Sequence, residues 1–315
     1  MHIVHVVNKR VPPTGADGGA PQYVAWLAEE QVRQGHTVSI ISPSGHSDAG
    51  YRYIPSRNLL SGDNLVRLLP SGLDIVHLHF SNESLDAALQ RSWAPYVTHV
   101  HGNHLGSERP LRNRIYVSKS HAANHGSVHF VYNGVPLGQY SYNSTKDDSL
   151  LFLSKVRRRN KGIDAAVRVA RHTSYPLVIA GGRRLATPAT WLPGYPGVRA
   201  VGVVYGALKI RLLQSAKALL FPIHWDEPFG LVLIEAMACG TPVIAFKRGA
   251  VEEIVVHGRT GFVCSDELEM REAVEALPTI NPHYCREHVE ANFSIERTYE
   301  GCMAYYRRAQ AGEVW

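Results

Sequence analysis

The densest chemistry in the chain lies between residues 224 and 245, where Glu227 and Glu235 stand eight residues apart around Pro228, Phe229 and Gly230. Proline needs no backbone donor, so the spacing predicts a helix over 230–238 with Pro228 in its first turn. Gly230 has no side chain to keep a ligand off the backbone. The amides of Phe229, Gly230 and Leu231 would then form an anion site at a helix N-terminus. Two carboxylates beside such a site do not bind the anion. They suit neutral hydroxyls, such as those of a sugar ring or a ribose diol, each charge-assisted bond contributing about 1.5–3 kcal/mol.

A second cluster puts five cations into seven residues, at Lys155, Arg157, Arg158, Arg159 and Lys161. Such a loop fits a diphosphate whose charge grows as it leaves, with a solvated basic turn as the lesser alternative for Arg157 to Arg159. His101 precedes Gly102 at the end of an expected strand, which suits a side chain projecting beyond the sheet. Five histidines fall between His77 and His104. The pairs His77 with His79 and His99 with His101 each share one face of a strand. With no carboxylate or thiol spacing beside them, they read as packed or hydrogen-bonded imidazoles and not as a metal site. Gly181 with Gly182, and Val203 with Val204, follow strands and fit backbone readout of a base edge, though a Gly-Gly turn needs no ligand. Arg109, Arg112, Arg114 and Lys119 form a basic patch without an acid among them. It reads as a solvated face, with docking to an anionic lipid or phosphorylated group as the alternative.

These groups need a scaffold, and the chain's rhythm supplies one. Short β-branched runs at residues 3–7, 37–41, 74–79, 96–100 and 114–117 alternate with helical patterns, the first over 21–33 and closed by Gly35. A polar, turn-rich stretch over 132–149 marks a domain boundary. The pattern then restarts with strands at 150–153, 177–180, 218–221 and 242–245 and helices at 163–172, 207–216 and 230–238. A last helix is expected over 293–308, with Ser294 as its N-cap. This alternation argues for parallel sheets flanked by helices. At 315 residues, two such domains are expected.

Composition narrows the function. Lys and Arg total 33 against 27 Asp and Glu, a formal charge of +6 that favours anionic partners. No basic stripe is interleaved with aromatics and no finger or helix-turn-helix pattern occurs, which argues against nucleic acid. Four cysteines without a CxxC pair fit a reducing cytosol. No charged leader opens the sequence and no apolar run reaches about 18 residues, so the expected location is cytoplasmic, with membrane contact only peripheral, at the inner face.

Glu227 and Glu235 around Pro-Phe-Gly resemble the E-x7-E motif of retaining nucleotide-sugar glycosyltransferases with the GT-B fold, most closely family 4. Gly18 and Gly19 resemble the glycine-rich donor loop, and Gly35, His36 and Val38 its Gly-His-x-Val. Asp74 to His79, His101 with Gly102, Val117 with Ser118, Asn133 to Val135, and Gly258 with Gly261 follow in the family's order. The resemblance implies an α/β GT-B fold, two Rossmann-like doubly wound parallel-sheet domains facing a cleft. The acceptor-side domain would cover residues 1–140 and the donor-binding domain 141–293, with a helix over 294–315 crossing back to the first.

The implied function is transfer of a sugar from a nucleotide diphosphate sugar to an acceptor hydroxyl with retention at the anomeric carbon. By the same resemblance Glu235 holds the ribose and Glu227 orients the sugar. Lys155, Lys161 and the amides of Phe229, Gly230 and Leu231 meet the diphosphate, Gly18 and Gly19 line the donor loop, and Gly181 and Val204 line the base pocket. His101 lies near the donor sugar, with Asn103 on the acceptor side. No cofactor or metal is implied, and the acceptor would be a glycan, a lipid-linked glycan or a small natural product. One departure stands out. The family's Gly-Arg and Lys-Gly read here as Ser154-Lys155 and Lys161-Gly162, one residue farther apart, and lysine lacks arginine's bidentate fork. A nucleotide-sugar epimerase or hydrolase on the same fold, or a catalytically silent partner subunit, remain as alternatives.

Overall fold

The computed structural model describes residues 1–14, 18–47, 49–56, 61–103 and 111–315. His104 and Arg109 lie outside the described residues. The chain divides into two compact units, Met1–Val135 together with Ile295–Trp315, and Pro136–Ser294.

In the first unit, strands β1 (His2–Val6), β2 (Thr37–Ser42), β3 (Arg52–Pro55), β4 (Ile75–Leu78), β5 (Tyr96–Val100) and β6 (Arg114–Tyr116) form one parallel sheet in the order β3-β2-β1-β4-β5-β6. Helices α1 (Gly19–Arg33), α2 (Gly62–Leu68), α3 (Glu83–Arg91) and α4 (Lys119–Asn124) connect them. Parallel strands covered on both faces need apolar side chains throughout. β1 and β4 comply except at the half-buried His2 and at His5 and His77, both fully buried.

The second unit repeats the plan. Strands β7 (Leu150–Leu153), β8 (Leu177–Ala180), β9 (Val198–Gly202), β10 (Ala218–Phe221), β11 (Val243–Phe246) and β12 (Gly261–Cys264) are parallel in the order β12-β11-β10-β7-β8-β9. Helices α5 (Ile163–Arg171), α6 (Gly206–Ser215), α7 (Leu231–Ala238), α8 (Val251–Ile254), α9 (Glu267–Glu275) and α10 (Pro282–Asn292) flank them. The core joins Leu150, Phe152, Leu220 and Ile244 of the sheet to Ile163, Val167 and Ala170 of α5 and to Met270 and Val274 of α9. The chain then returns to the first unit as α11 (Ile295–Gln310), packed on α1 and β5. Gln31 donates to the Tyr306 hydroxyl at 3.1 Å and Tyr299 bonds His36 at 2.8 Å across that contact.

Each sheet is wound in both directions from its first and fourth strands. In such sheets a ligand sits beyond the carboxyl ends of those two strands. That places candidate sites at the ends of β1 and β4 in the first unit and of β7 and β10 in the second.

Three expectations need correction. Pro228 is not in the first helical turn, because α7 begins at Leu231. Gly19 is not a loop residue ahead of α1 but its first helical residue, with Gly18 as N-cap. The last helix begins at Ile295, since Phe293 caps α10 and stacks edge-on against Phe229. None of the described helices is long and apolar enough to cross a membrane.

Leu220 is 1 % exposed at the centre of the second sheet. Leu220→Ala leaves a cavity there and should lower stability by about 2–5 kcal/mol. Urea unfolding checks this, and a loss below about 1 kcal/mol would contradict the packing described.

Candidate functional site

The second unit gathers most of the sequence-predicted groups at the carboxyl edge of its sheet. The basic loop leaves β7, ending in a 3-10 turn over Arg159–Lys161, and the Glu227 loop leaves β10. The two loops are tied together by the His224 amide, which donates to the Asn160 carbonyl at 2.9 Å. Lys155 and Arg157 to Arg159 are exposed there, while Lys161 turns inward.

Lys161 turns inward because it meets Glu227. Its ammonium donates to Glu227 Oε2, the same oxygen that accepts from the Trp225 indole at 2.7 Å, and it lies 4.7 Å from the Trp225 ring centre. The lysine and glutamate side chains are only 11 % and 15 % exposed. In α7, Glu235 is treated alike. Its Oε1 accepts from Lys209 Nζ at 2.6 Å and from the Tyr140 hydroxyl at 2.8 Å, and it is 3 % exposed. Burial, reinforced by the Glu235 charge, pushes the Tyr140 phenol far above its usual range and keeps it a donor. Each carboxylate is thus anchored through one oxygen by a lysine and a neutral donor. Among the described residues no donor meets Glu227 Oε1 or Glu235 Oε2.

The backbone around the pair is also held. Gly230, in the left-handed region, is the N-cap of α7 and carries no side-chain cap, so the amides of the first turn are not covered by a capping side chain. Behind Glu227, a Cβ at Gly249 would lie 2.3 Å from the Glu227 carbonyl oxygen, whose hydrogen-bond donor is Ala250 N at 3.0 Å. At the other end of α7, Arg286 donates to Ala238 O at 2.9 Å and to Tyr140 O at 2.5 Å. Lys146, pushed down to about 8 by burial, spends its donors on Gln214 O, Cys239 O and Thr241 Oγ1. Both cations satisfy orphan carbonyls at a helix C-terminus.

Gly181 lies where β7 and β8 end side by side. A Cβ there would sit 1.6 Å from the Ser154 carbonyl oxygen. Close backbone approach therefore requires the glycine with or without a ligand. Val204 is buried beyond β9, between the exposed Val203 and Tyr205.

In the first unit the carboxyl edge carries imidazoles instead of ion pairs. His5, His77, His79 and His99 are buried, and His101 at the end of β5 is half-buried beside Asn103. The rings stack at 4.1–5.3 Å between neighbours. Burial holds them neutral, pushing His5 down to about 4 and His101 to about 3. Two triplets, His5-His77-His79 and His79-His99-His101, bring ring nitrogens within 4.8 Å. A metal would have to displace bonds already made there, because His5 Nδ1 pairs with His79 Nε2 at 2.8 Å and His79 Nδ1 with His101 Nε2 at 3.0 Å. Neither triplet includes a carboxylate or thiol among the described residues.

Two family models match the chain. Residues 17–139 match Glycosyltransferase Family 4 and residues 140–280 match Glycosyl transferases group 1. The chain belongs to the family 4-like glycosyltransferases of the GT-B fold. An uncharacterized glycosyltransferase of Methanocaldococcus jannaschii is 24% identical, over 78% of this chain and 80% of that one. AviGT4, a glycosyltransferase involved in avilamycin A biosynthesis, shares the fold with a TM-score of 0.78, 24% identity and coverage of 100% of this chain and 99% of that one. Anabaena HepE, solved in complex with UDP-glucose, shares it with a TM-score of 0.74 at 16% identity, covering 96% of this chain and 98% of that one.

Four residues of this glycosyltransferase's candidate site escape a reading of motifs. Lys209, Tyr140, Trp225 and Gly249 reach the glutamates from α6, from the segment before β7, from the Glu227 loop and from the turn before α8. Trp225, two residues from Glu227, was the one with a local signal.

The histidine stack predicts an acid sensitivity. The unfolded chain protonates these rings below about pH 6.5, whereas the folded first unit admits protons only near the depressed values. Its stability is therefore complete above about pH 6.5 and declines as the pH falls toward 4. Urea midpoints should drop between pH 7.5 and 5, with amide exchange accelerating in β1, β4 and β5 before β7 and β10. Identical midpoints at the two pH values would contradict a neutral buried stack.

Proposed function

We propose that the protein is a retaining glycosyltransferase that moves a sugar from a nucleotide diphosphate sugar to an acceptor hydroxyl. The observation that carries this reading is the pair Glu227 and Glu235 beside the N-terminus of α7, each neutralised by a lysine through one oxygen and, among the described residues, without a donor at the other. A nucleotide sugar presents what such a pair needs, hydroxyls for the carboxylates and a diphosphate for the amides and the basic loop. The UDP-glucose bound to HepE supports this class of donor.

In this reading Glu235 Oε2 accepts from the ribose diol and Glu227 Oε1 from a hydroxyl of the transferred sugar. Lys155, Lys161 and the amides of Phe229, Gly230 and Leu231 stabilise the departing diphosphate. Gly181 and Val204 border the base, Gly18 and Gly19 the donor loop, and His101 and Asn103 meet the sugar and acceptor. The bond from the anomeric carbon to the diphosphate oxygen breaks, and one to the acceptor oxygen forms on the same face. The acceptor's proton passes to the leaving diphosphate. With lysines and helix amides supplying positive charge, the reaction proceeds without a bound metal. The acceptor is a glycan, lipid-linked glycan or small molecule.

Glu235→Ala and Lys209→Met should each weaken nucleotide diphosphate binding by about 10-fold or more, the worth of one charge-assisted bond. Glu227→Ala should chiefly lower kcat. Steady-state kinetics with the nucleotide sugar that supports transfer checks both, and unchanged constants in all three variants would overturn the site. Product of inverted anomeric configuration, read by NMR, would overturn retention alone.

A further inference from the structure

The buried histidines of the first unit form a hydrogen-bonded chain with a direction. Gln31, fully buried in α1, donates its amide NH2 to the Tyr306 hydroxyl at 3.1 Å and accepts through Oε1 from His5 Nε2 at 2.7 Å. A neutral imidazole carries one N–H. With its proton on Nε2, His5 must accept at Nδ1, and the donor is His79 Nε2–H at 2.8 Å. The same rule makes His79 Nδ1 an acceptor, served by His101 Nε2–H at 3.0 Å. On the far side of Gln31, the Tyr306 hydroxyl donates onward to His77 Nδ1 at 2.7 Å. His77 then keeps its proton on Nε2, an atom with no partner among the described residues.

We propose that this chain fixes the proton of His101 on Nε2 and leaves its Nδ1 as a hydrogen-bond acceptor at the carboxyl edge of the first sheet, ready for a hydroxyl of the donor sugar. Gln31, His5 and His79 are then positioning residues that act through His101. The assignment rests on the reading that His101 meets the sugar, and it adds what that contact recognises. An Nδ1 lone pair takes a hydroxyl hydrogen, whereas an Nδ1–H would seek a phosphate or carbonyl oxygen.

Two observations separate this from ordinary packing. Apolar side chains could fill these positions without desolvating five imidazoles and an amide. The links also run in one sense from the half-buried ring to the buried amide, so reversing His101 requires turning the Gln31 amide and moving the proton on each ring at once. Tyr23 braces the open end, with its ring 5.1 Å from His101 and its hydroxyl 3.3 Å from His99 Nδ1.

The test is nitrogen NMR of the intact protein labelled with 15N-histidine at pH 7.5, His101 being assigned by the signals lost in His101→Asn. The wild type should show His101 protonated at Nε2 and unprotonated at Nδ1. Gln31→Met removes the amide that gives the chain its direction, and Tyr306→Phe, which keeps the ring packing, frees that amide to turn. Both should populate the second His101 tautomer and lower kcat/KM for transfer about 10-fold, one hydrogen bond's worth, with nucleotide diphosphate affinity changed less than about twofold. A wild-type His101 with its proton on Nδ1, or an unchanged tautomer in both variants, overturns the proposal. Mixed tautomers with unaltered kcat/KM overturn the positioning role. The predicted tautomers in a protein that transfers no sugar would uphold the chain and refute the transferase reading instead.

Discussion

A carboxylate taken out of water costs free energy unless a cation sits on it. The second unit meets this constraint twice, with Lys161 on Glu227 and Lys209 on Glu235. In both pairs one oxygen takes every side-chain donor among the described residues, and the lysine balances the charge. Removing a lysine would leave a poorly solvated carboxylate uncompensated, a loss of about 3–5 kcal/mol for a buried pair. The rest of the unit serves this arrangement. The sheet brings the ends of β7 and β10 together, the Gly249 turn backs Glu227, and Arg286 and Lys146 fasten the far end of α7.

The first unit uses the same strand order for different physics. Where its neighbour balances full charges, it buries imidazoles and keeps them neutral by desolvation. Neutral rings can be threaded into one directional chain, which a row of cations could not form. The polar groups at the two carboxyl edges therefore share neither charge state nor pH response, although the scaffolds beneath them are alike.

Much of this was legible in the sequence because its signals are local. Short apolar runs marked β1, β2, β4, β5, β6, β7, β8, β10 and β11, since buried parallel strands admit little else. Eight-residue spacing around Pro-Phe-Gly marked the glutamates, and five cations after a strand marked the loop. Edge strands such as β3, where Arg52 is exposed, and short helices such as α2 carry weaker patterns and were missed. Lys209 and Tyr140 act across long stretches of chain, so no local pattern could join them to Glu235. Pro228 misled for a different reason. A proline compatible with a helix start also suits the extended turn before one, and Gly230 takes the cap.

The central claim is that Glu235, held by Lys209 and Tyr140, keeps one oxygen for a ribose diol. The most direct measurement is calorimetric binding of the tightest-bound nucleoside diphosphate, chosen among UDP, GDP and ADP, against its 2′,3′-dideoxy analogue. Loss of the diol should weaken binding by about 10- to 100-fold, corresponding to one charge-assisted bond or more. Equal affinities for the two would contradict the account, because nothing but the hydroxyls differs between them.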